Sequence, residues 1–188
     1  GCEEVLFVPY ASDDHDSYTS RMQDFMGEAG PRLVGIHSHE DPVSAVSEAD
    51  GIYVGGGNSF LLIRDLHDAG LIGPIRDAVM GGAPYLGVSA GANVACPTMM
   101  TTNDMPIALP SSFDSMGIVP FQINPHYHPG KIVFRDGDSL VDHFGETRAQ
   151  RIREFHRVSE APVLGLWEGS YVSWDGSIGT LIGKATAF

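Results

Sequence analysis

Ser89 stands between two glycines in Gly87-Val88-Ser89-Ala90-Gly91. In this G-x-S-x-G pattern a serine rides a tight strand-to-helix turn, which pushes its hydroxyl into the open and keeps its backbone neighbours small. Such a hydroxyl is a weak nucleophile until a base takes its proton and a third group orients that base. A Gly-rich junction with an incidental serine would read the same way, so the partners decide the matter.

Of eight histidines, His126 is the best placed base. Pro125 fixes the backbone just before it, and a strand ending there would deliver it to a strand end. His15, His37, His39, His67 and His156 fall on expected helix surfaces or loops, where solvation or packing accounts for them. His128 would share a strand face with His126 in an extended segment, which raises a metal site. No cysteine or third histidine with ligand spacing accompanies the pair, so no metal is expected, and no pattern calls for a nucleotide, flavin or other cofactor. Two acids compete to orient the imidazole. Asp104 in TTNDMPI gives the order Ser, Asp, His, whereas Glu168 in LWEG gives Ser, His, Glu. Chain order does not choose between them, because the same geometry arises in several orders; a strand end favours Glu168.

The triple glycine Gly55-Gly56-Gly57 follows an expected strand and precedes an expected helix. It lacks the lysine of a P-loop and the G-x-G-x-x-G spacing of a dinucleotide fold. Its bare N–H groups suit the oxyanion of an acyl-transfer intermediate, with Gly57 and Ala90 as the donors. Further on, Thr147-Arg148-Ala149-Gln150 reads as a capping box that puts Arg148 at the first position of a helix. The helix dipole opposes a cation there. The placement makes sense if an anion binds between the guanidinium and the free N–H groups of that turn. An exposed arginine turned to solvent or to Glu146 is the plainer alternative.

The elements that must carry these groups alternate between strand and helix. Strands are expected at 4–9, 32–37, 51–54 and 84–88, with helices around Tyr18 to Ala29, over 42–49, from Asn58 as N-cap to about Asp68, and over 74–80. Beyond Ala95 the pattern predicts a strand near 118–123, an irregular stretch at 127–145, a helix over 148–157, and β segments at 162–167, 170–174 and 178–183. This order predicts one α/β domain over residues 1–188, a parallel sheet with helices on both faces and the site beyond the strand ends. A net charge of −13, from 24 acidic and 11 basic residues, argues against nucleic acid or an anionic membrane as partner. No apolar run nears membrane-spanning length. Two cysteines make a poor disulfide framework, so a cytoplasmic location is expected.

Taken together, YVGGGNSF, GVSAGANVACPT, TTNDMPI, QINPHY, GETRAQRIREF and GLWEG, in this order, resemble the peptidase E family of bacterial α-aspartyl dipeptidases. The resemblance runs from about residue 5 nearly to the end. It implies an α/β fold like that of class I glutamine amidotransferases and a serine peptidase that cleaves Asp-X dipeptides, with a small peptide as its partner. It places Ser89 on the nucleophile, His126 on the base, Asp104 or Glu168 on the third member, and Arg148 where the substrate's aspartyl side chain would be read. Two departures stand out. The family carries a further strand and helix before the strand that opens this chain, so a truncated N-terminus is expected, and residues 128–146 look longer than the family's loop. The alternatives are a cyanophycinase-like hydrolase of β-aspartyl dipeptides and a non-catalytic ligand-binding relative.

Overall fold

Side chains alternate across the first strands, and this alternation sets the layers of the molecule. The computed structural model describes residues 2–130 and 132–183. In β1 (Glu4–Val8) and β3 (Ile52–Val54), Leu6, Val8, Ile52 and Val54 join one apolar cluster, while Phe7 and Tyr53 join another on the opposite face. A strand's period of two requires this division. The larger cluster is closed by α2 (Pro42–Glu48), α3 (Ser59–Asp68), α4 (Ile72–Met80) and α5 (Ala90–Val94), which contribute Val46, Leu62, Ile63, Leu66, Ile75 and Val94. The smaller is closed by α1 (His15–Met26) through Tyr18, Met22 and Met26. Each large apolar side chain fully buried in this way contributes about 1.5–3 kcal/mol.

Parallel strands in the order β2-β1-β3-β4 form the main sheet, with β2 at Arg32–Gly35 and β4 at Tyr85–Gly87. β2 is shorter than its apolar run, since Ile36–Ser38 turns into a 3-10 segment. Short polar side chains start the helices: Asp14, Asp41 and Asn58 accept N–H groups of the first turns of α1, α2 and α3. No helix among the described residues is long and apolar enough to cross a membrane.

The second half departs from the expected pattern in two places. The strand predicted near 118–123 forms only as β5 (Gln122–Pro125), because Pro120 removes a donor from the segment before it. Its parallel partner is β8 (Val163–Leu166), and this pair is separate from the main sheet. The stretch expected to be irregular holds an antiparallel hairpin, β6 (Val133–Asp136) and β7 (Ser139–Asp142), closed by Gly137 at φ +60°. Positive φ at the first loop position suits the twist of a two-residue hairpin turn. The chain then runs through α6 (Arg148–Phe155) and a second antiparallel pair, β9 (Ser170–Trp174) with β10 (Gly179–Gly183).

Candidate active site

β4 ends in the elbow that carries Ser89. The serine has φ 54° and ψ −107°, a strained conformation for a residue with a Cβ, and α5 starts at the next residue. The helix can follow so closely because Gly91 has no side chain: a Cβ there would collide with the carbonyl of Val54. Ser89 is the N-cap residue of α5, but its side chain makes no capping bond. Its Oγ instead lies 2.7 Å from Nε2 of His126.

His126 reaches that point from the end of β5, also with a positive φ of 55°. β5 is fixed on both edges. On one, Gln122 pairs with Val163 and Pro125 with Leu166 of β8. On the other, the Ile123 carbonyl accepts from Asn93 Nδ2 at 2.8 Å and Thr101 Oγ1 at 2.7 Å, and the Pro125 carbonyl accepts from Asn103 Nδ2 at 2.8 Å. Buried carbonyls need such partners when no strand supplies them. Sequence reasoning missed Asn93, Thr101 and Asn103. Their signal was polar side chains in an otherwise apolar or turn-forming stretch.

The parallel register of β5 and β8 carries Glu168 to the same place. Glu168 lies two residues beyond Leu166, and its Oε1 contacts Nδ1 of His126. Ser89, His126 and Glu168 therefore form one continuous chain of contacts. The His126 and Glu168 side chains are 49% and 77% exposed, so the site opens to solvent.

Asp104 is elsewhere in the network. Its Oδ2 accepts the N–H of Ser59 at 2.7 Å and the Ser59 hydroxyl at 2.5 Å, which places a carboxylate at the start of α3 where the helix dipole favours it. Asn58, the cap of the same helix, donates to the Met105 carbonyl at 3.0 Å. Asp104 thus ties the loop at 102–105 to the end of the glycine run and does not touch the imidazole.

Arg148 occupies the first position of α6, with Thr147 Oγ1 accepting the Gln150 N–H as the capping motif predicts. Burial, with Arg151 as a second cause, pushes its pKa below the ordinary guanidinium value, while Asp104 pulls it up. No ion pair to Arg148 is found among the described residues, whereas Arg151 pairs with Glu146 at 3.4 Å. Burial of a cation that has no ion pair among the described residues is costly, and a nearby anion would offset that cost. Neither Gly57 N–H nor Ala90 N–H has a backbone acceptor among the described residues. A Cβ on Gly56 would lie 3.1 Å from the Cβ of Ser89, so the glycine run passes directly beside the serine. His128 is exposed, and no cluster of three metal-ligating side chains occurs among the described residues.

The sequence model of peptidase family S51 matches residues 2–182. The chain belongs to peptidase family S51. It is 48% identical over 183 residues to peptidase E of Streptomyces coelicolor, covering 97% of this chain and 72% of that protein. It is 46% identical over 184 residues to a Drosophila melanogaster protein named "Probable alpha-aspartyl dipeptidase", covering 97% and 74%. Its backbone matches a solved structure from Listeria monocytogenes EGD-e with a TM-score of 0.69 at 19% identity, over 97% of this chain and 87% of that one. The expected fold class, an α/β fold of the class I glutamine amidotransferase type, stands with this S51 membership.

Proposed function

We propose that this S51 chain is a serine dipeptidase that hydrolyses Asp-X dipeptides, with Ser89 as nucleophile, His126 as general base and acid, and Glu168 as the group that orients the imidazole. The observation that carries the reading is the unbroken contact chain from Ser89 Oγ through both ring nitrogens of His126 to Glu168. The names of its relatives support the substrate class.

In this mechanism Ser89 Oγ attacks the scissile carbonyl while Nε2 of His126 takes its proton. Negative charge develops on the carbonyl oxygen, to be met by the N–H groups of Gly57 and Ala90, which have no backbone acceptor among the described residues. His126 then gives its proton to the leaving amine, the C–N bond breaks, and an aspartyl ester on Ser89 remains. Water attacks that ester with His126 again as base, releasing aspartate and the free serine. Glu168 at Nδ1 keeps the proton off Nε2 in the resting tautomer and stabilises the imidazolium when it forms. Arg148 takes the aspartyl carboxylate, and the surrounding net negative charge of −13 discourages anions that lack this local fit.

The test is hydrolysis of Asp-Leu beside Asn-Leu and β-Asp-Leu. Cleavage of Asp-Leu alone is expected. Preference for β-Asp-Leu would overturn the α-aspartyl assignment in favour of an isopeptide substrate, and equal rates on Asn-Leu would remove the role given to Arg148.

A further inference from the structure

The peptide unit joining Gly56 to Gly57 is held from the side away from Ser89. Tyr18, on α1, donates its hydroxyl to the Gly56 carbonyl at 2.7 Å. The chain has no cis peptide bonds among its described residues, and in a planar trans unit the C=O and the following N–H point in opposite directions. The two sides of the glycine run are marked by what a Cβ would meet. On Gly55 it would lie 2.6 Å from the Tyr18 hydroxyl, and on Gly56 it would lie 3.1 Å from the Cβ of Ser89. A carbonyl turned to Tyr18 therefore turns the Gly57 N–H toward the serine.

The 54–55 and 57–58 units of this run are fixed by backbone bonds: Gly55 N–H donates to the Val8 carbonyl at 3.1 Å and Asn58 N–H to the Ala11 carbonyl at 3.0 Å. The 56–57 unit has no such bond among the described residues, and it is flanked by glycines, which let a peptide plane rotate at small steric cost. A rotated plane would present an oxygen to the developing oxyanion. We propose that Tyr18 is a positioning residue for the reaction, its hydroxyl fixing the plane of the Gly56–Gly57 peptide so that the Gly57 N–H is aimed at the oxyanion. The assignment rests on the oxyanion reading of Gly57 above. Tyr18 is well held for the task. It is 7% exposed, lies edge-on to Phe7 at a centroid distance of 5.2 Å, and is covered by the Arg21 guanidinium at 5.1 Å. Burial raises its pKa, so the phenol stays protonated and able to donate. Preorganisation of this kind matters because a donor already aimed need not reorganise as charge develops.

The experiment compares Tyr18→Phe with Tyr53→Phe. Tyr53 belongs to the same apolar cluster, and its hydroxyl faces the Met22 sulfur at 3.7 Å, so its variant deletes an oxygen from the same layer without touching Gly56. Losing a whole oxyanion donor costs about 10²–10³ in kcat, and a loosened one should cost part of that, roughly tenfold. In Tyr18→Phe, kcat on Asp-Leu and the rate at which a neutral fluorophosphonate labels Ser89 should fall together. KM and cooperative melting should stay near wild type. Tyr53→Phe should keep wild-type rates. Equal losses in both variants, a rise in KM in place of the fall in kcat, or a Tyr18→Phe chain that does not fold would each overturn the assignment. The two readouts also separate this inference from the function it rests on. A wild-type chain that is labelled at Ser89 but leaves Asp-Leu intact contradicts the substrate class, and the labelling rates of the two variants then decide the role of Tyr18. A wild-type chain that is neither labelled nor active contradicts the serine mechanism and this inference with it.

Discussion

Ser89 and His126 meet at 2.7 Å from two backbones that both hold a positive φ, 54° and 55°. Each residue has a Cβ, and such conformations cost about 1–3 kcal/mol when the surrounding structure enforces them. Here the enforcement is visible: α5 packs on β3 through Gly91, and β5 is bonded along both edges. Strain at the contact should therefore be released by glycine. Ser89→Gly is expected to melt at a higher temperature than Ser89→Ala, by about 1 kcal/mol of stability, while neither cleaves Asp-Leu. Thermal melts and a dipeptide assay check both halves. More than about a tenth of the wild-type rate in either variant would remove Ser89 as nucleophile.

Glu168 and Asp104, both carboxylates beside turns, should separate cleanly on mutation. Glu168→Gln should lower kcat by roughly 10²–10⁴ with little change in stability, since the amide disfavours the working tautomer of His126. The lower part of that range is expected because Glu168 is largely exposed. Asp104→Asn should act on the fold and on substrate binding, costing about 1–2 kcal/mol through its bonds to Ser59 and raising KM through the charge it sets near Arg148. A larger fall in kcat for Asp104→Asn than for Glu168→Gln would reverse the assignment.

The distinction between these acids was only partly legible in the sequence. A strand end favoured Glu168, but chain order did not choose, and each acid has a plausible turn role of its own. What decides it is the register of β5 on β8, Pro125 against Leu166, across some forty residues of chain. The early strands were legible because buried parallel strands read as short apolar runs. The nucleophile elbow and the N-caps were legible because tight turns and helix starts restrict residue type locally. The hairpin at 133–142 was missed although Asp136-Gly137-Asp138 is a hairpin turn signal, since Phe134, Leu140 and Val141 on its strands stay exposed and leave no alternation of apolar and polar residues.

Chelation offers a direct check on the histidine pair. Both ring nitrogens of His126 are engaged, Nε2 by Ser89 and Nδ1 by Glu168, so neither is open to a metal shared with His128. Turnover of Asp-Leu should be the same before and after EDTA. Loss of activity that a divalent ion restores would require His126 to be a ligand instead of a base.

The two cysteines should differ sharply in reactivity. Burial pushes the Cys96 thiol up to about 12, leaving almost no thiolate at pH 8, while Cys2 is partly accessible and donates to the Asp50 carbonyl. A disulfide reagent at pH 8 should titrate one thiol in the native protein and two in denaturant. Rapid native modification of Cys96 would mean that α5, on which the elbow depends, opens readily.

Arg148 separates recognition from chemistry. Its charge is disfavoured by burial and by Arg151 and supported by Asp104, with no ion pair among the described residues, so a substrate carboxylate would add support. Arg148→Met should reduce kcat/KM for Asp-Leu by about 2 kcal/mol, the lower end of the usual penalty for leaving one charge of a desolvated pair alone, since the arginine is only partly buried. Ser89 should still react with a small neutral fluorophosphonate at close to the wild-type rate, because that reagent uses the nucleophile and the oxyanion donors but not the anion pocket. Lysine should rescue in part, since a point charge cannot reproduce the planar fork of a guanidinium on a carboxylate. An unchanged kcat/KM in Arg148→Met would move the search to Arg151, whose present bond to Glu146 is long at 3.4 Å and could be exchanged for a substrate.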